Sequence, residues 1–82
     1  MQEERHSSRV DLLRNLYRLT PTEARIADLI GQGKEIRDTA LILGKTLEIA
    51  RFHVKRVLAK TGTHRQAELV KLVLALPGAG PG

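Results

Sequence analysis

Helix-capping residues and glycines divide this chain into segments that each have the length of a helix. Residues 20–23 read Thr-Pro-Thr-Glu, a capping box with proline at the first helical position, and residues 63–66 read Thr-His-Arg-Gln, a second box. Glycines at positions 31, 33, 44 and 62 stand where helices would end, because glycine tolerates the left-handed conformation of a helix C-terminus. No segment alternates apolar and polar residues with a period of two. The sequence therefore predicts an all-α chain of five helices.

Apolar spacing and the capping signals give approximate bounds for these helices. The first is expected within residues 7–19, capped by its serines and carrying two apolar stripes. The second runs from the first capping box to the glycines at 31 and 33, the third spans residues 34–43, the fourth residues 47–61, and the fifth follows the second box as far as residue 76. The third and fourth helices are so closely joined that they must cross steeply. The glycine- and proline-rich residues 77–82 are expected to be disordered.

The charge of the chain favours a polyanionic partner. Fourteen basic and nine acidic residues give the 82 residues a formal charge of +5. From Lys45 onward only Glu48 and Glu68 are acidic, so the positive charge lies in the second half. The chain has no cysteine, which excludes disulfides and thiolate chemistry. Its longest apolar run, LVLALP, is too short to span a bilayer, and its first ten residues are too charged for a signal peptide. We therefore expect a soluble, cytoplasmic protein with no membrane partner.

The single phenylalanine, Phe52, lies in the basic segment IARFHVKR, residues 49–56. On a helical wheel the fourth helix has one apolar arc, predicted to face the core, formed by Leu47, Ala50, Val54, Val57, Leu58 and Thr61. Phe52 falls on the opposite arc among basic residues. Such a face suits a DNA major groove, where cations reach guanine and an apolar side chain packs on a thymine methyl group. In the alternative interpretation, Phe52 covers the edge of the core or meets the first helix, and the basic face is merely solvated.

Three segments between residues 19 and 76 carry motifs of one known family. They are LTPTEARIADLIGQGK, TALILGKTLEIARFHVKRVLAKTG and HRQAELV. Together they resemble the opening helix, the turn with its recognition helix, and the closing helix of the LuxR-type (GerE-like) helix-turn-helix domain of bacterial transcription regulators. Ala40 and Gly44 match its small crossing residue and its turn glycine, whereas Lys45, Ile49 and Ala50 depart from its usual residues. The resemblance implies a four-helix LuxR-type domain at residues 19–76, preceded by an extra N-terminal helix or linker at residues 1–18 and followed by a tail at residues 77–82.

The resemblance and the helical wheel together predict a DNA-binding transcription regulator, or the effector domain of one. Base contacts are expected from Glu48, Arg51, Phe52 and Lys55. Phosphate contacts are expected from Lys34, Lys45, Thr46, Arg56 and Lys60. The resemblance also implies a homodimer joined through the last helix, where the apolar surplus of AELVKLVLAL suggests contacts by Leu69, Leu72, Val73 and Leu76. Alternatively, the two-striped first helix covers that surplus within one chain.

Other chemistry finds little support in the residues. The histidines at 6, 53 and 64 form no metal-binding pattern, and GQGK at residues 31–34 lacks the rest of a phosphate-binding loop. We expect neither catalysis nor a cofactor. The partners expected are double-stranded DNA, a second copy of the chain and, for a regulator, RNA polymerase. Two further hypotheses stay open: a protein-interaction helix-turn-helix module with weak or no DNA binding, and a sigma-factor-like promoter-binding domain that would not dimerise through its last helix.

Overall fold

The computed structural model describes residues 3–77, with side chains from residue 9 onward, and all regular structure in this range is helical. The helices are α1 (Glu3–Tyr17), α2 (Pro21–Gly31), α3 (Ile36–Leu43), α4 (Leu47–Thr61) and α5 (Gln66–Leu74). Within residues 3–77, the predicted all-α class and the predicted five helices are confirmed. Residues 78–82 of the predicted disordered tail lie outside the described residues.

The start of α2 and both ends of α4 follow the local sequence signals. Thr20 and Glu23 form the predicted reciprocal cap: the Glu23 backbone N–H donates to Thr20 Oγ1 at 3.1 Å, and the Thr20 N–H donates to Glu23 Oε1 at 3.0 Å. Thr46 caps α4 by accepting from the Ile49 N–H at 3.1 Å. Gly62 then ends α4 with a φ of 73°, a left-handed conformation that favours glycine.

Two predicted caps are wrong. Helix α1 is described from Glu3 onward, so Ser7 and Ser8 lie within the helix and not at its start. Serine is only mildly unfavourable within a helix, and a cap also needs a non-helical backbone. Helix α5 begins at Gln66 with Arg65 as the capping residue, without a side-chain cap. The capping box predicted for residues 63–66 is absent.

The residues before α5 satisfy their hydrogen bonds in another way. The Thr63 hydroxyl pairs with the Thr61 hydroxyl at 2.9 Å, and the His64 N–H donates to Glu68 Oε1 at 2.7 Å. The start of α3 also differs slightly from the prediction, because Glu35 is its capping residue. These local competitors explain why a pattern of residue types at the right spacing did not fix the helix start.

Helix α2 lies at the centre of the fold and packs against α1, α4 and α5. Helix α1 is fixed to it by the fully buried Leu13 and by an ion pair of 3.1 Å between Arg9 and Asp28. Helix α3 packs mainly on α4. The core is formed by Leu13, Leu19, Ala24, Ile26, Ala27, Ile30, Val54, Val57, Leu69 and Val73. No helix within the described residues is long and apolar enough to cross a membrane.

The contact between α2 and α5 is unusually close. Gly31 is buried in the last turn of α2, and a Cβ placed on it would lie 2.8 Å from the Cβ of Val73 and nearer still to one of its methyl groups. Real side chains do not approach so closely. Glycine is therefore required at position 31 by the packing of α5, and not by an unusual backbone angle.

Candidate nucleic-acid interface

The outward face of α4 carries all four residues that were predicted to contact bases. Glu48, Arg51, Phe52 and Lys55 are each exposed, and their spacing of three and four residues makes them neighbours on one helical surface. The Phe52 side chain is 57% exposed and is not among those that pack on the core. The interpretation in which Phe52 covers the core edge is therefore wrong, and its contact with a base stays a prediction.

The opposite face of α4 fixes this surface relative to the rest of the fold. Ala50, Val54 and Val57 are buried, as the helical wheel predicted. The other three residues of the predicted core arc, Leu47, Leu58 and Thr61, are half-buried. Because the buried side chains hold α4 in one rotation about its axis, the exposed residues point away from the core as a set.

Phe52 has two neighbours on its own helix. The guanidinium carbon of Arg56 lies 5.8 Å from the centre of the Phe52 ring, within the range of a cation–π contact. The His53 ring meets the Phe52 ring edge to face, with centroids 5.6 Å apart. The Phe52 ring is thus flanked by two planar groups although it is exposed to solvent.

Glu23 contacts two of the residues that were predicted to hold phosphates. Its carboxylate, only 2% exposed, accepts from Lys60 Nζ at 2.7 Å through Oε1 and from Arg56 Nε at 3.0 Å through Oε2. Lys60 is 27% exposed and Arg56 is 51% exposed. One carboxylate therefore offsets part of the charge of two cations, and Lys60 has less freedom to reach a phosphate than an unpaired lysine. The sequence identified Glu23 only as a capping residue.

The ionisation of Glu23 is strongly affected by these contacts. Burial alone would raise the pKa of its carboxyl group, but hydrogen bonds from Lys60, from the Thr20 backbone and from Arg56 outweigh burial and lower the pKa to about 2. Glu23 is consequently ionised across the physiological range. The two cations are held by a permanent negative charge.

A basic depression lies beside the N-terminus of α4. It has a volume of about 420 Å³ and is lined by Lys34, Glu35, Ile36, Arg37, Leu47, Arg51 and Gln66. Three of these, Ile36, Leu47 and Gln66, are the first residues of α3, α4 and α5. The depression thus gathers three cationic side chains and one carboxylate, Glu35, next to the first residues of three helices, whose N-termini carry partial positive charge. It includes the predicted phosphate contact Lys34, and it adds Arg37, which the sequence reasoning missed.

The turn between α3 and α4 holds the other two predicted phosphate contacts. Gly44 ends α3 with a φ of 68°, and the Lys45 N–H then donates to the Ala40 carbonyl at 2.8 Å. Lys45 and Thr46 are both exposed. The Thr46 hydroxyl uses an oxygen lone pair to cap α4, so its own O–H can still donate outward.

Two of the four residues predicted for a dimer contact are unavailable for it. Leu69 and Val73 are fully buried inside one chain, because α5 packs mainly on α2. Their assignment as dimer contacts is wrong. Leu72 and Leu76 are half-buried and pack on the same core. The alternative that α1 covers the apolar residues of α5 is also wrong, because α5 packs mainly on α2.

Several apolar side chains remain exposed near the proposed interface. Leu41 and Ile42 of α3 are 74% and 51% exposed, and Ile49 of α4 is 45% exposed. Ile49 lies one helical turn before Phe52, so the outward face of α4 is less purely basic than the sequence suggested. The wheel missed this because Ile49 falls at the margin of the outward arc.

Comparison with protein-family models, with curated proteins and with solved structures found no match to this chain. Within the described residues no group of three or more histidine, aspartate or glutamate side chains is arranged to hold a metal ion.

Proposed function

We propose that this chain is a sequence-specific DNA-binding transcription regulator, or the effector domain of one, of the LuxR helix-turn-helix type. The observation that carries the proposal is the outward face of α4, where Arg51, Phe52 and Lys55 are exposed while the opposite face is buried. A helix of 15 residues is about 22 Å long, and the major groove of DNA is wide enough to admit it. Double-stranded DNA is the proposed partner.

Each exposed residue of this face has a chemical role in the proposal. Arg51 can donate two hydrogen bonds to guanine, and Lys55 can donate to guanine or to phosphate. Glu48 can accept from the amino group of cytosine. The Phe52 ring can pack on the methyl group of thymine. Together these groups distinguish bases by hydrogen bonds and by one apolar contact.

The basic depression supports phosphate binding beside the groove. Lys34 and Arg37 flank the start of α3, and Lys45 and Thr46 precede α4. Cations and helix N-termini at this edge would fix the register of α4 on the duplex without reading its sequence. Because Arg56 and Lys60 share the Glu23 carboxylate, we assign them smaller shares of the phosphate contact.

Homodimerisation remains part of the proposal, through a different surface of α5. Leu74 is 56% exposed, Ala67 is exposed and Val70 is half-buried. These three residues are spaced at i, i+3 and i+7 and therefore share one side of the helix. A second copy packing on this side would place two α4 helices on one duplex, as two half-sites require.

A second candidate function has support from α3. The exposure of Leu41 and Ile42 favours a protein-interaction module, in which an apolar partner covers this helix and DNA binding is weak. A sigma-factor-like promoter-binding domain would also use α4 on DNA, but it would bind as a monomer. Duplex binding and oligomeric state together separate these candidates.

The test starts from a selection of bound sequences from a random duplex pool. Fluorescence anisotropy then compares the selected duplex with a scrambled one at two salt concentrations. We expect tighter binding to the selected duplex, and weaker binding to both as salt rises, because phosphate contacts release counterions. Equal binding to both duplexes would refute sequence-specific recognition, and weak or undetectable binding to every duplex would favour the interaction module.

Two variants sort the contacts. Arg51→Ala is expected to lose discrimination between the duplexes, by about 1–3 kcal/mol. Arg37→Ala is expected to weaken binding to both duplexes equally and to reduce the salt dependence by about one counterion. Equal behaviour of the two variants would show that the base and phosphate contacts are wrongly assigned.

A further inference from the structure

We propose that Glu23 is a positioning residue for base recognition, which acts through Arg56 to order the Phe52 ring. The inference rests on the proposed function for its consequence at DNA. The ordering itself is a property of the free protein. Glu23 lies on α2 and does not belong to the exposed face of α4.

The contact chain runs from the core to the surface. The Glu23 carboxylate is fixed by the Thr20 N–H at 3.0 Å and by Lys60 Nζ at 2.7 Å. Its other oxygen holds Arg56 Nε at 3.0 Å, and the Arg56 guanidinium lies over the Phe52 ring at 5.8 Å. Glu23 therefore restricts Arg56, and Arg56 restricts the Phe52 ring. Glu23 is the most buried of the three residues and has the most hydrogen-bond partners.

This arrangement uses properties of arginine that lysine lacks. The guanidinium is planar, so Arg56 can give its Nε–H to Glu23 while it lies over the aromatic ring. Its remaining N–H groups stay available to donate. A lysine at this position would keep the charge but could not hold both contacts in one fixed geometry.

Ordering Phe52 before binding has a direct consequence for recognition. An exposed side chain that is immobilised only on binding loses conformational entropy at that step, whereas one that is already ordered loses less. The penalty for one side chain corresponds to roughly a two- to tenfold change in affinity. Since the Phe52 contact would depend on the base, the loss is expected in the discrimination between duplexes and not in binding to all duplexes.

The first test uses the free 82-residue chain and NMR spectroscopy. In the wild type we expect a resolved Arg56 Nε–H signal that exchanges slowly with water. We also expect Phe52 signals that correspond to one side-chain conformation. Glu23→Gln keeps an oxygen that can accept from the Thr20 N–H but removes the negative charge. We expect the Arg56 Nε–H to exchange faster with water in this variant, and the Phe52 signals to become averages over several side-chain conformations. Glu68→Gln causes the same change of net charge at a residue whose hydrogen bond goes to His64 and not to this contact chain. It serves as the matched control and should leave both signals unchanged. Unchanged signals in Glu23→Gln would overturn the proposal.

Arg56→Lys provides a second variant in case Glu23→Gln folds poorly, because it leaves the α2 cap and the Lys60 contact in place. It is expected to average the Phe52 ring signals in the same way. Retention of an ordered Phe52 ring in this variant would equally overturn the proposal.

The second test measures anisotropy with the selected and scrambled duplexes. Glu23→Gln is expected to lower the ratio of the two affinities two- to tenfold in the wild-type background, and to leave it nearly unchanged when Phe52 is already alanine. A full effect in the Phe52→Ala background would refute action through Phe52. If the wild type discriminates between no duplexes, the proposed function fails and the base-recognition role fails with it, while the NMR test still decides whether Glu23 orders the ring.

Discussion

Protonation of Glu23 is expected to remove a large part of the folding stability in acid. The ordinary pKa of such a carboxyl group is 4.5, and in the folded chain hydrogen bonds from Lys60, Thr20 and Arg56 outweigh the effect of burial and lower it to about 2. A lowered pKa means that the ionised form stabilises the fold at every pH above about 4.5. This stability is lost as the pH falls from about 4.5 toward 2, where the folded protein also takes up the proton.

The size of the effect follows from the difference between the two pKa values. A carboxyl group that moves from 4.5 in the unfolded chain to about 2 in the folded chain contributes roughly 3 kcal/mol at neutral pH. The Glu23 side chain is only 2% exposed, but Lys60 and Arg56 are 27% and 51% exposed, so solvent screens the two cations and roughly 3 kcal/mol is an upper bound. Small domains have about 5–15 kcal/mol in total, so this one group is a major contributor.

Urea unfolding followed by circular dichroism at a series of pH values provides the assay. The wild type should lose up to roughly 3 kcal/mol more than Glu23→Gln between about pH 5 and pH 2, because the other carboxyl groups titrate equally in both proteins. Glu68→Gln, with a half-exposed side chain at position 68, should follow the wild type. Parallel curves for the wild type and Glu23→Gln would refute the assignment of the lowered pKa to Glu23.

Three further substitutions test the packing and the exposed surfaces. Phe52→Ala should change the free energy of unfolding by no more than about 0.5 kcal/mol, because surface substitutions rarely cost more. It should also make DNA binding nearly insensitive to replacing a contacted thymine by uracil. A loss of about 3–5 kcal/mol in thermal or urea melts would instead mark Phe52 as a core residue. Gly31→Ala should destabilise the fold by about 1–3 kcal/mol through overlap with Val73. The double variant with Val73→Ala should lose less stability than the sum of the two single variants. Strictly additive losses would contradict the overlap. Leu74→Glu should leave the melting temperature nearly unchanged and shift sedimentation toward monomer, and a wild type that stays monomeric at all concentrations would exclude the dimer.

Local signals in the sequence determined most of the helical framework and the direction of the α4 face. The cap at residues 20–23 and the stop at Gly62 depend on hydrogen bonds within a few residues of chain, so the residue types were sufficient to predict them. The outward position of Phe52 followed from helical periodicity, which is equally local. The capping box predicted at residues 63–66 does not form, because the Thr63 hydroxyl is hydrogen-bonded to the hydroxyl of Thr61 instead.

Only the tertiary structure decided which residues meet across the fold. Glu23 contacts Arg56 and Lys60, which lie 33 and 37 residues further along the chain, and no local pattern relates these positions. The burial of Leu69 and Val73 likewise depends on the surface that α2 presents to α5. Amphipathic spacing indicates that a helix has an apolar face, but not which helix packs on that face. That depends on how whole helices are placed relative to one another, and the placement results from many weak packing contacts between distant segments.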